Sequence, residues 1–341
     1  VVLVGDHAGD PQPAACIVQS FEDLNAMGAI SRSDKIVITG AAGLVGQNLV
    51  VKLKQAGYTN LVGIDKHAAN TPILARLHPE MRVVRADLAH DDGWQAEFKD
   101  AAVLIQMHAQ IGGLDPAAFE ANNIAATRRV LDAAQTAGIG YLVHASSSVV
   151  NSAAIDYYTE SKKAQEKLID ACPIPHVVLR PTLMFGWFDR KHIGWLGRFM
   201  RRVPVFPIPG SGRYVRQPLF VGDFCDIVIA CIEGRRTGSY NITGQEKVFY
   251  VDLIRALRHA VGSRATILPI PYPIFALLLS LYALVDRDPP FTTKQLKALA
   301  TPDEFEVIDW PRIFDVRSTP LAEALQLTFN DARYGDLALE F

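Results

Sequence analysis

The chain has 341 residues, with 34 Lys and Arg against 36 Asp and Glu, a formal net charge of −2, a pI near 6.5 and 49% hydrophobic residues. That balance gives no electrostatic case for nucleic acid, and the length exceeds one usual core, so a large domain with a smaller lobe is expected. Its four cysteines, Cys16, Cys172, Cys225 and Cys231, form no Cys-x-x-Cys pair and no ligand spacing with the nine histidines, so they read as reduced thiols of a cytoplasmic protein without a metal.

In chain order, residues 1–34 precede the first nucleotide-binding unit, as an extension of unknown role. Val1–Val4 reads as an added edge strand and Ile17 to Ala29 as a helix. No charged stretch precedes a long apolar core, so no secretion signal is expected, although the first residue is not Met. Ile36-Val37-Ile38 is a β-branched run suited to a buried parallel strand, and the residues from Gln47 to Leu53 turn to helical spacing. Between them stands Thr39-Gly40-Ala41-Ala42-Gly43-Leu44-Val45-Gly46. Glycine suits such a junction because a side chain would keep a pyrophosphate from the backbone N–H groups at the helix N-terminus, where the helix dipole favours negative charge. The spacing is Gly-x-x-Gly-x-x-Gly, so context must carry the reading. A second strand, Leu61–Ile64, ends in Asp65, about 20 residues beyond the glycines, where a carboxylate accepts hydrogen bonds from ribose hydroxyls and repels a 2′-phosphate. NAD is therefore expected in preference to NADP, with Lys66 partly offsetting the repulsion; an Asp that simply closes a strand is the other reading.

The alternation continues with a helix around Thr71 to His78, a strand Arg82–Val84 running on to Asp87-Leu88, a helix around Asp92 to Phe98, a strand Val103–Met107, a long helix from Ala117 to Ala137 and a strand Tyr141–Ala145. This order predicts an α/β fold of the Rossmann type. A doubly wound parallel sheet forms an NAD-binding domain over residues 35–180, and residues 181–341 supply mainly a smaller C-terminal substrate-binding lobe, with some segments returning to the sheet. Ligands of such sheets lie beyond the carboxyl ends of the strands, which places Asp87, Leu88, His108, Ala109, Gln110 and Ser146-Ser147-Ser148 along one cleft.

A helical pattern then runs from Tyr157 to Asp170, with Tyr158 four residues before Lys162 and on the same face. A free phenol titrates near 10, and a neighbouring cation together with a positively charged nicotinamide favours the phenolate. Tyr158 can then exchange a proton with a substrate hydroxyl while hydride passes to or from the nicotinamide. Alone, Tyr-x-x-x-Lys reads as an exposed helix face; here it follows a glycine turn and a serine-tipped strand.

With those elements in place, the sequence from about Lys35 to Asn330 resembles the extended short-chain dehydrogenase/reductase superfamily, and within it the NAD-dependent epimerase/dehydratase family. Thr39 to Gly46 matches its Thr-Gly-x-x-Gly-x-x-Gly, Asp87-Leu88 its adenine-contacting pair, His108-Ala109 its His-x-Ala loop, and Asn123 the Asn at its turn into the next helix. Tyr158 and Lys162 match the catalytic pair. Leu179-Arg180-Pro181 with Phe185-Gly186 matches its Leu-Arg-Pro-x-x-x-Tyr-Gly segment, which implies Pro181 at the cofactor and Phe185 beside the substrate, and Arg216 to Asp223 matches its Arg-x-x-x-x-Val-x-Asp segment. The resemblance implies hydroxyl/keto chemistry with Tyr158 as acid/base, Lys162 as its activator and ribose ligand, Ser147 orienting the substrate hydroxyl with Ser148 beside it, and a homodimer formed through the helices that include Tyr158 to Asp170. Only ten residues separate Ser147 from Tyr158, a shorter loop than many family members carry. Serines that merely cap the next helix are the alternative. No carboxylic acid follows Ser148, where Val149-Val150 stand, which argues against sugar dehydration.

Substrate class rests on the second half. Arg190, Lys191, His192, Arg198, Arg201, Arg202, Arg213 and Arg216 surround an apolar turn at Phe206–Gly210, so a diphosphate can be clamped by guanidinium groups, and Arg216 is the choice by family match; a solvated basic face is the alternative. The resulting expectation is a small-molecule substrate, a nucleotide-diphosphate sugar, in an epimerase or keto-sugar reductase. The rival is a 3β-hydroxysteroid-type dehydrogenase, suggested by the prolines of Leu268–Pro273, the apolar run Ile274 to Val285 and Pro290 to Leu296. Twelve residues fall short of the ~20 that span a bilayer, so a buried lobe helix is favoured over membrane contact. A non-catalytic NAD-binding module is a third reading; such modules usually lose the tyrosine or the lysine, and both are present here.

Overall fold

Short β-branched runs separated by amphipathic helices force this chain into layers, because each run is apolar on both faces and needs cover on both. The computed structural model describes residues 29–152, 156–285 and 306–340. The units follow one another as β1 (Lys35–Thr39), α1 (Leu44–Gln55), β2 (Leu61–Asp65), α2 (Asn70–Leu77), β3 (Arg82–Arg85), β4 (Ala101–Gln106), α3 (Pro116–Phe119), α4 (Ala126–Thr136), β5 (Tyr141–Ala145), α5 (Tyr157–Asp170) and β6 (His176–Pro181). The rest of the chain supplies β7 (Met184–Phe185), α6 (His192–Met200), β8 (Val205–Pro209), β9 (Val215–Arg216), β10 (Leu219–Phe220), α7 (Val221–Gly234), β11 (Gly238–Ile242), β12 (Val248–Phe249), α8 (Tyr250–Ala260), β13 (Thr266–Ile270), α9 (Tyr272–Val285), α10 (Trp310–Phe314) and α11 (Leu321–Asn330).

The central sheet has seven parallel strands in the order β11-β6-β5-β4-β1-β2-β3. Its order reverses between β1 and β4, the place where ligands of doubly wound sheets bind. Strand alternation divides the core in two. Ile36 and Ile38 pack with Leu49 and Leu53 of α1 and Phe224, Ile227 and Val228 of α7, whereas Val37 packs with Trp94, Phe98, Val130, Leu131 and Ile169 on the opposite layer. A third cluster, built from Phe185, Ile193, Met200, Phe206, Ile208, Tyr250, Leu253, Leu257, Leu325 and Phe329, forms a separate core from residues that follow β6.

Several elements differ from the sequence reading. Asp92 to Phe98 forms only a 3₁₀ turn over Trp94–Phe98, anchored by the buried Trp94 and Phe98 rather than by a helical face. The long helix over Ala117 to Ala137 is interrupted by a π-helical turn at Glu120–Ala125, which is where Asn123 sits. Phe206–Gly210 is not a turn: Val205–Pro209 is β8, paired in parallel with β13. The apolar run forms α9, but it is not a buried lobe helix. Tyr272, Ile274, Leu277, Leu278 and Leu281 are all exposed, because apolar character shows that a surface wants cover without saying that this chain supplies it. The expected edge strand Val1–Val4, nearly all of the Ile17 to Ala29 helix and Pro290 to Leu296 lie outside the described residues.

Candidate active site

The glycine turn leaves β1 toward α1. Gly40 has φ +74°, and a Cβ there would lie 2.6 Å from the backbone nitrogen of His108; only glycine lets β1 and β4 end so close together. At Gly46 a Cβ would lie 2.5 Å from the carbonyl oxygens of Gly40 and Ala41. Gly46→Ala is expected to destabilise the protein by about 2 kcal/mol, read as a lower denaturant midpoint with unchanged slope; an unaltered midpoint would show that the turn relaxes freely. Gly43 caps α1 without a side-chain hydrogen bond, so the N–H groups of Leu44, Val45 and Gly46 at the start of the helix have no intrahelical carbonyl. Ala42 precedes them, and its N–H donates to Asp65 Oδ2 at 3.0 Å while the N–H of His67 donates to Oδ1 at 2.9 Å. Asp65 thus closes its strand and ties down the turn as well; each oxygen keeps a further lone pair.

Lys66 turns toward Asp87, at 3.2 Å, and Asn122, at 2.5 Å. Burial raises the Asp87 carboxyl, but the Ala89 N–H and Lys66 outweigh it and leave the group below its usual range. Leu88 beside it is buried. His108 shares hydrogen bonds with Thr39, at 2.9 Å, and Thr127, at 3.4 Å, and burial followed by the charge of Lys162 lowers it to about 3, so it is neutral. After Ala109, Gln110 is held at both its N–H and C=O by the Asn123 side chain, at 2.6 and 3.0 Å, and Asn123 also donates to Ser161 of α5 at 2.8 Å. The π-turn aims Asn123 so that one amide joins the β4 loop to the tyrosine-bearing helix.

Asp156 caps α5, accepting from the Thr159 N–H at 2.9 Å, and so fixes Tyr158 in the first turn. The Tyr158 phenol hydrogen-bonds Ser147, and Ser147 in turn accepts from the Val149 N–H at 3.4 Å. The expected lowering of the phenol is not what the environment produces. Burial holds it above its ordinary value, opposed by the Ser147 hydrogen bond and reinforced by Asp156. Lys162 is not among the groups that shift the phenol: it is completely buried, donates to Ala145 O at 3.0 Å, and is driven by burial down to about 7 against the pull of Glu166. A lysine poised at neutrality is only part of a positive charge.

Beneath it lies a network that sequence reading missed. Arg180 grips Glu166 with both arms, at 2.9 and 2.6 Å, and Ser146 donates to the same carboxylate. Glu166 stands four residues beyond Lys162 and eight beyond Tyr158, a periodicity that could have singled it out.

On the substrate side, Ser148 is buried in a 3₁₀ turn and Pro181 ends β6 opposite Ile242. Phe185 is a core residue, 1% exposed against Phe220, rather than a wall of the cleft. The Arg216 guanidinium lies 5.0 Å over the Tyr214 ring and donates to Val215 O. Two of the other cations are engaged away from it. Arg198 binds the carbonyls of Asp189 and Arg190, and Arg201 binds Asp336 and the carbonyl of Phe329.

Comparison with known proteins decides the lineage: residues 36–243 match the model of the NAD dependent epimerase/dehydratase family. The chain belongs to that family. It is an enzyme of the extended short-chain dehydrogenase/reductase type, and NAD is its cofactor. Among relatives of the family, a ceramide reductase of Caulobacter vibrioides is 26% identical over 297 residues, covering 86% of this chain and 90% of that protein. A dTDP-glucose 4,6-dehydratase of Actinoplanes is 27% identical over 268 residues, 68% and 83% of the two chains. The crystal structure of a UDP-glucuronic acid 4-epimerase from Bacillus cereus in complex with NAD shares the fold, with a TM-score of 0.63, 22% identity, and coverage of 86% and 96%.

Proposed function

We propose that this enzyme interconverts a ketone and a secondary alcohol on an apolar, long-chain substrate, with Tyr158 passing the proton. The observation that carries the substrate class is the character of the cleft mouth. The segments 109–114, 147–152 and 181–186, which follow the tips of β4, β5 and β6, contain no charged residue, and Ile111, Leu114 and Leu183 are 69%, 89% and 57% exposed. Exposed apolar side chains at a cleft favour an apolar ligand over a diphosphate.

The residues suit the cofactor: a cradle that a Cβ would fill at Gly40 and Gly46, open helix N–H groups at Leu44, Val45 and Gly46, and Asp65 with spare lone pairs. In this reading Ala42 and Gly43 complete the diphosphate turn, Asp65 and Lys66 face the ribose, Asp87 and Leu88 the adenine, and His108, Ala109, Gln110, Asn123, Lys162 and Pro181 the inner half. Bound there, NAD supplies the hydride acceptor for the alcohol and, when reduced, the donor for the ketone. Ser147 orients the substrate oxygen, Tyr158 donates its phenolic proton to that oxygen in reduction and recovers it in oxidation, and Lys162 sets the electrostatics beneath the phenol.

A nucleotide-diphosphate sugar is the second reading. Its support is Arg216 in the Arg-x-x-x-x-Val-x-Asp segment, together with a structural neighbour solved with UDP-glucuronic acid and NAD. Incubation of the purified chain with NADH and a long-chain β-keto amide, and separately with UDP-sugars, separates the two. Stoichiometric oxidation of NADH with the keto amide alone is the expected result; epimerisation of a UDP-sugar without net NADH consumption would overturn the apolar reading.

A further inference from the structure

Helix α9 is anomalous for a water-facing element. It has no Asp, Glu, Lys or Arg over its 14 residues, and none of the side chains described along it, residues 272–281, is buried. At 1.5 Å per residue it is about 21 Å long, too short for the ~30 Å hydrocarbon core of a bilayer, and no helix among the described residues is long and apolar enough to cross a membrane. The apolar surface does not stop at the helix. It continues onto the small sheet that leads into it, through Leu268 of β13, 47% exposed, and Val205 of β8, 44% exposed.

At the other end of those two strands the surface becomes cationic. A groove of about 360 Å³ is lined by Arg201, Arg202, Val203, Pro204 and Arg264, residues that immediately precede β8 and β13. Arg201 is tied to Asp336 and to the carbonyls of Val261 and Phe329. Among the described residues neither Arg202 nor Arg264 has an ion-pair partner. An uncharged apolar face that runs, within one five-residue strand, into paired guanidinium groups matches the cross-section of an anionic leaflet, acyl chains below and phosphates above.

We propose that α9, Leu268 and Val205 dock this enzyme onto the surface of an anionic phospholipid bilayer, with α9 sunk in one leaflet and Arg202 and Arg264 on lipid phosphates. A second copy of the chain fits the same face less well, since a two-fold contact presents that same surface, whose helix, two strands and arginine groove carry no Asp or Glu to meet Arg202 and Arg264. The docking deepens the function proposed above, because it holds the enzyme at the phase in which a long-chain ketone is concentrated; it rests on that reading for the substrate alone.

The test is co-sedimentation of the full chain with vesicles of phosphatidylcholine, with and without phosphatidylglycerol, in the absence of substrate. The wild-type chain is expected to bind the anionic vesicles, and L277D/L281D to lose at least about tenfold in partitioning. R202Q/R264Q is expected to lose about fivefold per arginine, roughly 25-fold in all, on anionic vesicles only. The arginine pair leaves α9 untouched and keeps the test decisive if aspartates unfold the helix. Absence of wild-type binding, or binding equal in all three chains, overturns the docking. So does L277D/L281D converting a dimer into a monomer with unchanged vesicle partitioning, which would give the face to a second copy. Turnover of a soluble short-chain ketone without vesicle binding would sink the docking and spare the chemistry; vesicle binding without turnover of any ketone would do the reverse.

Discussion

Tyr158→Phe is expected to reduce turnover by about 10²- to 10⁴-fold while leaving the dinucleotide bound. The phenol is the proton carrier of the proposed reaction, hydrogen-bonded to Ser147, and the change removes one oxygen from a half-buried ring. None of the groups around the glycine turn is touched, so calorimetric titration with NAD should give an unchanged affinity. The direction of the phenol shift adds a signature. A phenol held above its ordinary value is protonated at neutrality, which suits donation to a ketone. Ketone reduction should therefore show no phenol titration through neutral pH and fall only as Lys162 loses its charge above about 7, whereas alcohol oxidation, which needs the phenolate, should climb with pH until the phenol titrates. Initial rates in both directions across pH provide the check, and undiminished turnover by the Phe variant would remove Tyr158 from the chemistry.

Lys162→Met is expected to lower turnover by about 10²-fold or more and yet to raise stability. The ammonium is wholly buried and burial brings it down to about 7 from 10.5. Below about 7 the lysine is charged in both the folded and the unfolded chain, and the folded chain bears the full cost of burying that charge. Between about 7 and 10.5 the unfolded chain binds the extra proton, so stability rises with pH, and above that range the cost is gone. The gain from methionine, on the order of a few kcal/mol, should therefore be largest below neutrality and fade toward about pH 10. It is offset in part by the lost hydrogen bond to Ala145 O. Thermal unfolding of both chains across that range measures it, and a variant less stable than wild type at pH 6 would show that the hydrogen bond outweighs the buried charge.

Much of the fold was legible because its signals are local. β-Branched runs, the glycine junction and the cap-plus-tyrosine start of α5 each occupy fewer than about fifteen residues, and neighbouring side chains decide them. The candidate site was legible in its residue types but not in its electrostatics. Four-residue spacing brings Tyr158 and Lys162 to one face, but it cannot show that Lys162 would be buried down to neutrality and so fail to act as a full cation. The Arg180–Glu166–Ser146 network joins a strand, a helix and a strand tip, and only the sheet order brings those together. Arg216 and Phe185 were placed at the substrate by motif alone; packing folds one over Tyr214 and sinks the other beside Phe220. For α9 the composition identified an unusual surface, and only coordinates could show it uncovered.

The path of the chain has a mechanical consequence. After Pro181 it leaves the sheet, returns through α7 and β11, departs again into β12 and α8, and comes back once more at α10, where Trp310 donates to Thr243 O at 2.7 Å and packs in the same core as Phe224. Two bodies stitched by several passes of backbone cannot swing on a single pivot, since every pass would have to bend together. Any opening of the cleft is then a short slide of packed layers instead of a wide gape, and entry and exit of a long substrate would depend on the rim of the cleft more than on motion of the lobe.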